Sequence, residues 1–474
     1  MQRNCYLRAS MKNYLGQSLA LSALVLLFLL VLTAVSSKLP MEAYGLRKMD
    51  ILADIRVPVS SAPQLTDSLE LLTIDTSEQI TFQDTLRHLV DSSLFGKIIE
   101  DYTFDYQGLR SFFEAVDAIK SHQKTVRVAF FGDSFIEGDI FLGDLRDTLQ
   151  GTWGGAGVGF VPISSEIARF RRSFIESAKG WKAFSILKKE ESTFPLGING
   201  HVYQPEPEAS LSYQGTNQYA FRHTAQWNHV RLFYQSTDAQ RFVWQSNSGD
   251  YHESILPVSN GQLKVWELKT GPMYRFYAQF PEVEGLALYG ASLENGPGIY
   301  FDNFSVRGNS GGKLCLIPQQ MIQAFDNYQH YDLIILQYGL NAVTNSLRNL
   351  KWYEAELEKT YQHIRASFPT TPVLVLSVPD RGGKVDGDLR TMVSVPYIVQ
   401  MQRSLALKHG FLFYDCFQGM GGAGTMVRLA TATNPSLVSK DYTHLSHEGG
   451  RMLGLQLADL FLTEKEKIKS THNQ

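Results

Sequence analysis

The pattern of apolar and polar positions divides the chain into four kinds of segment. Residues 19–35 form an uncharged apolar run with no polar face. Residues 109–122 place Phe112, Phe113, Val116 and Ile119 at helical spacing, which predicts an amphipathic helix. Next comes Val-Arg-Val-Ala-Phe-Phe at 126–131, ending in Gly132, which reads as a buried strand, followed by a helix over 140–150. The same alternation returns late in the chain. Strands are expected over 332–337, 372–378 and 410–417, and helices over 352–367, 394–409 and 448–462. Strand–helix alternation of this kind predicts an α/β fold with a mostly parallel sheet.

The middle reads differently. Between about 168 and 300 helical periodicity fades. Short aromatic and β-branched segments recur at 229–235, 241–245, 263–268, 273–280 and 285–293. Turn signals such as Ser259-Asn260-Gly261 separate them. This predicts an all-β sandwich inserted into the α/β sheet. The expected organisation is an N-terminal anchor or signal over 1–36, a spacer over 37–105 with a modest helix near 82–94, a first α/β part over 106–167, the insert over 168–300, a second α/β part over 301–465, and a polar tail over 466–474.

Charge changes the picture at the N-terminus. Arg3, Arg8 and Lys12 precede the apolar run, so the positive-inside rule predicts export of the chain beyond residue 35. The run of 17 residues is at the short edge of a spanning helix. Ala34 and Ser36 offer a signal-cleavage pattern, but an uncleaved single-pass anchor is the favoured reading. The body is then expected outside the cytoplasm, periplasmic or secreted. Net charge is −3 with both signs mixed, and no basic stripe points to nucleic acid. Cys5, Cys315 and Cys416 show no zinc spacing, and pairing of Cys315 with Cys416 is left open. Neither a metal nor a cofactor is expected.

Three short motifs carry candidate chemistry. Gly132-Asp133-Ser134 ends the first buried strand, where ligands bind in open α/β sheets. A serine on that turn can present its hydroxyl beside free amide groups, or can simply cap the next helix. Gly339-Leu340-Asn341 follows the strand at 332–337, and the Asn341 amide can donate to an oxyanion or serve a turn. Asp441 and His444 stand three residues apart before a helix, so the carboxylate can orient the imidazole as a base.

In this order the motifs resemble those of the SGNH, or GDSL-like, hydrolase superfamily. The resemblance implies a three-layer, flavodoxin-like α/β/α sandwich and cofactor-free ester or amide hydrolysis. It implies Ser134, His444 and Asp441 as catalytic triad, and the Ser134 amide, Gly308 and Asn341 as oxyanion hole. Gly308 is the best match to the family's second block, with Gly155 and Gly157 as competitors. A narrower likeness is to exported peptidoglycan O-acetylesterases with a carbohydrate-binding-module-like insert, although Ala342 stands where that group usually has an acid. The implied function is removal of O-acetyl groups from peptidoglycan or another O-acylated polysaccharide. The alternatives are acyl transfer to a glycan by the same triad, or glycan binding without catalysis. Asp380 and His447 are secondary candidates for orienting or replacing the base. Trp227, Trp244 and Trp266 are expected in the insert's core rather than on a sugar-stacking platform.

Overall fold

The computed structural model describes residues 91–472, apart from Ala220, Val283 and Thr433, together with Leu21, Leu24 and Val25. Those three are helical and exposed. The rest of the 19–35 run, and most of the helix expected near 82–94, lie outside the described residues; Ser92–Leu94 is a single 3₁₀ turn. No helix among the described residues is long and apolar enough to cross a membrane.

The α/β region is built on strands β1 (Glu100–Asp101) and β2 (Thr125–Gly132), with α1 (Gly108–His122) between them and α2 (Leu142–Trp153) after. The periodic face of α1 is the buried one: Leu109, Phe112, Phe113, Val116 and Ile119 all enter the core. Gln123 ends the helix in the left-handed conformation, and its N–H caps Ala118 O. All of β2 beyond its first residue is buried, because parallel neighbours flank it on both sides.

The insert then contributes β3 (Gly159–Val161), β4 (Ile175–Ser185), β5 (His201–Gln214), β6 (Trp227–Ser236), β7 (Gln240–Ser246), β8 (His252–Leu256), β9 (Lys264–Met273), β10 (Arg275–Phe280) and β11 (Leu286–Glu294). Where two packed sheets are expected, hydrogen bonding is continuous through one nine-stranded antiparallel network, in the order β8-β7-β10-β5-β11-β6-β9. The pair Leu288–Tyr203 joins its two halves, and β3 and β4 pair alongside. Apolar residues from both halves, among them Leu211, Phe242, Phe276, Leu232 and Leu288, share one core. The network begins at Gly159, earlier than the expected 168.

The chain re-enters the first sheet through β12 (Gly298–Ser305), earlier than the expected 301. It continues with α3 (Gln319–Gln329), β13 (Leu333–Gln337), α4 (Leu350–Ser367), β14 (Val373–Leu376), a hairpin of β15 (Gly382–Val385) and β16 (Asp388–Thr391), α5 (Val395–His409), β17 (Leu412–Tyr414), α6 (Thr425–Thr431) and α7 (His447–His472). The sheet order is β1-β17-β14-β13-β2-β12, parallel except for β1. Helices α1, α2 and α7 contact one another in sequence, as do α3, α4 and α5. Residues 466–472, expected as part of a polar tail, continue α7. Lys467 and Lys469 pair with Glu464 and Glu466 at helical spacing, and Lys465 reaches Asp117 on α1.

Register decides where the ends of the strands fall. Gly132 is paired with Gln337 on one side and Ser305 on the other, so β12, β2 and β13 end level. The turns after Gly132, Ser305 and Gln337 therefore emerge side by side.

Candidate active site

Ser134 lies two residues beyond Gly132, half-buried on the turn that leaves β2. Its Oγ stands 2.8 Å from His444 Nε2. His444 Nδ1 stands 2.6 Å from Asp441 Oδ2. Asp441 Oδ1 accepts from the amides of Thr443 and His444 at 3.0 and 3.1 Å, which locks the carboxylate to its own turn. Burial raises the Asp441 pKa, but the His444 ring and these two amides outweigh it and hold the carboxyl below its ordinary value. The three candidate residues thus form an unbroken chain of contacts across 310 positions of sequence.

The close approach depends on glycines in the first turns of α7. A Cβ on Gly450 would stand 2.1 Å from Ile140 O, and one on Gly454 would stand 2.4 Å from Phe141 O. Glycine at both places lets α7 lie directly on the segment after Ser134, and so brings His444 to the serine.

Asn341 and Gly308 occupy the neighbouring turns. Asn341 Nδ2 donates to Asp133 Oδ2 at 3.2 Å and to Asn309 O at 3.1 Å, so both of its N–H groups have protein acceptors. Gly308 is exposed on the turn leaving β12, tied to the nucleophile turn by Val306 N donating to Gly132 O at 2.9 Å. Among the described residues the amides of Ser134 and Gly308 carry no hydrogen bond. Gly155 and Gly157 lie elsewhere, packed against Gly298–Ile299 and Leu293–Glu294 at the crossing between the two sheets.

Asp133 is a component that sequence reasoning passed over. It is fully buried, accepts from Phe135 N at 2.9 Å and holds the Asn341 amide. Burial without a cation pushes its pKa up to about 7, against the lowering effect of those donors. Asp139 behaves in the opposite way. Burial would raise it, yet Arg146 and Arg171 hold it far below the carboxylate range. It also receives Ser173 Oγ at 2.5 Å and Asn303 Nδ2 at 2.8 Å, and so ties the nucleophile turn to the insert and to β12. Arg381 Nη1 donates to Leu340 O at 2.7 Å and Gln402 Nε2 to Tyr338 O at 2.8 Å, which fixes the Asn341 turn. None of these long-range bonds has a local sequence signal.

The secondary candidates fall outside this group. Asp380 is buried, accepting from Thr391 Oγ1 at 2.7 Å and Met426 N at 2.9 Å, and among the described residues it bonds to no histidine. His447 opens α7, and the hydrogen bonds to Ser134 Oγ and Asp441 Oδ2 are made by His444 instead. Trp227 is fully buried in the insert's core, and Trp244 and Trp266 are half-buried against it. Cys315 and Cys416 are both free thiols. Among the described residues no group of three or more His, Cys, Asp or Glu side chains is placed to hold a metal ion.

No protein-family model and no curated protein matches the chain. Solved structures do. A peptidoglycan O-acetylesterase superimposes with a TM-score of 0.62 at 21% identity, covering 78% of this chain and 99% of that one. An acetyl xylan esterase (TM-score 0.26, 16% identity, 34% of this chain and 79% of that one) and a family two carbohydrate esterase from Cellvibrio japonicus (0.25, 9%, 60% and 99%) overlap too weakly to bear on the fold. The resemblance carried by Gly132–Ser134, Gly339–Asn341 and Asp441–His444 is thus matched at the level of fold: this chain shares the fold of a peptidoglycan O-acetylesterase, an α/β sheet interrupted by a β insert.

Proposed function

We propose that the chain is an exported serine esterase that removes O-acetyl groups from peptidoglycan or another cell-envelope polysaccharide, using Ser134, His444 and Asp441. The observation that carries this reading is the contact chain Ser134 Oγ–His444 Nε2–Asp441 at 2.8 and 2.6 Å. His444 Nε2 takes the Ser134 proton as Oγ attacks the ester carbonyl. The oxygen of the tetrahedral intermediate turns toward the unbonded amides of Ser134 and Gly308. The Asn341 donors, held at 3.1–3.2 Å by their present acceptors, are shared with it as its negative charge grows. His444 then returns the proton to the departing sugar oxygen. Water, deprotonated by the same ring, releases acetate and restores Ser134. Asp441 stays ionised throughout and stabilises the imidazolium.

The glycan substrate draws support from the fold shared with a peptidoglycan O-acetylesterase. The two groups of mutually contacting helices support a three-layer α/β/α arrangement around the sheet. The positive flank before residues 19–35 supports export with a single-pass anchor. Acetate release from O-acetylated peptidoglycan by the full-length chain tests the reading, with Ser134→Ala as control. Equal release by the variant would overturn it.

A further inference from the structure

A short arch of the insert is tied at both ends to the turn after Ser134. A Cβ on Gly138 would stand 2.8 Å from Ile167 Cδ1, and Ser173 Oγ donates to Asp139 Oδ2 at 2.5 Å. Between these ties lie Ala168, Arg169, Phe170, Arg171 and Arg172. Phe170 is three residues from either tie, so its Cα stands at most about 11 Å from each. The arch is thus anchored on residues four and five positions beyond Ser134.

Arg171 is used within the fold, paired with the buried Glu176. Phe170 and Arg172 are not used in that way. Phe170 is 67% exposed although the chain on both sides of it is anchored. Arg172 makes no ion pair among the described residues; its guanidinium lies over the Tyr219 ring, 5.0 Å from the centroid. Stacking uses the face of a guanidinium and leaves the edge, where its N–H donors point, available. An arginine held by a ring rather than by a carboxylate keeps its charge for a ligand. The charge is also felt at the start of α7, the helix that follows His444. Burial and then Arg172 lower the pKa of His447, three residues past His444. Asp144 feels the same charge without being in ion-pair contact.

We propose that Phe170 and Arg172 form a subsite for an acidic sugar. Phe170 stacks on the sugar ring that bears or adjoins the ester, and the free edge of Arg172 takes the carboxylate. The inference rests on Ser134 acting as the esterase nucleophile, and it narrows the substrate to carboxylate-bearing glycans.

The test compares two matched pairs of substrates with the full-length protein. One pair is an O-acetylated uronic-acid oligosaccharide and its carboxyl-reduced counterpart. The other is an O-acetylated muramic-acid disaccharide and its carboxyl-amidated counterpart. The wild type is expected to favour the acid in at least one pair by about 10- to 100-fold in kcat/KM, and the pair that responds identifies the source of the carboxylate. Arg172→Gln is expected to bring that ratio to about one, and Arg172→Lys to leave an intermediate ratio because it keeps the charge but not the planar fork. Phe170→Ala is expected to lower kcat/KM on both members of the pair and to keep their ratio. A ratio does not depend on how much enzyme is folded. No preference for the acid in either pair, or an unchanged ratio in Arg172→Gln, overturns the subsite while leaving the esterase intact. Absence of any acetate release, from aryl acetate included, overturns the esterase reading and the subsite with it.

Discussion

The α/β sheet and the β insert bury aromatic side chains to the same depth, yet only the sheet gathers polar groups at one edge. Ser134, Gly308 and Asn341 leave three adjacent strands whose last residues are paired level with one another. The strands are parallel, so every one of these turns falls on the same side. In the insert the strands run antiparallel, and successive turns fall at opposite ends. Its aromatic residues, Trp227 and Phe242 among them, pack against one another instead. The lesson is topological. Parallel register concentrates chemistry at the carboxyl edge, and antiparallel register disperses it.

The comparison breaks most visibly at Ser134. Ser134→Ala should lower aryl-acetate turnover by roughly 10⁴-fold or more, with an unchanged melting temperature. In the insert the effect should fall on stability. Trp227→Ala removes a fully buried side chain and should cost about 3–5 kcal/mol by denaturant unfolding, while kcat of the folded fraction stays near wild type. A large loss of kcat there would show that the insert does more than position the arch.

Asn341→Ala sharpens the comparison within the sheet. Loss of an oxyanion donor should lower kcat by about 10²- to 10³-fold. If the Asn341 amide serves only Asp133 and the Asn309 carbonyl, kcat would hold and stability alone would fall. The smallest effect is expected at Asp133. Its folded pKa of about 7 lies above its unfolded value, so this group contributes a loss of stability as pH rises from about 4 to about 7, and a constant amount above that. Asp133→Asn should remove this component, leaving a flatter stability curve over that window. An identical pH profile in variant and wild type would contradict the assignment.

The elements of the α/β region are legible in the sequence because each carries a clean period. The face of α1 and the apolar runs of β2 and β13 correspond to buried positions. In the insert β5 is hidden, since Pro205 and Pro207 argue against a strand. Pro205 faces Trp181 at the edge of the register shift between Lys179 and Trp181, and Pro207 lies within the shift. β12 is hidden because Asp302 and Asn303 interrupt its apolar run. Asp302 is nevertheless buried, satisfied by Phe160 N, Gln329 and Tyr331.

The candidate triad is legible through spacing, since Asp441 and His444 are three residues apart and Ser134 comes directly after a strand. Its supports are not. The bond from Asn341 to Asp133 spans 208 positions, and the seating of Gly450 on Ile140 joins segments with no shared local pattern. Such pairings exist only once the chain has folded.

Covalent labelling of the full-length protein with a fluorophosphonate, read by peptide mass spectrometry, probes the nucleophile itself. One adduct is expected on the peptide containing Ser134, absent in Ser134→Ala and strongly slowed in His444→Ala. No adduct at Ser134, or equal labelling in His444→Ala, would contradict the triad.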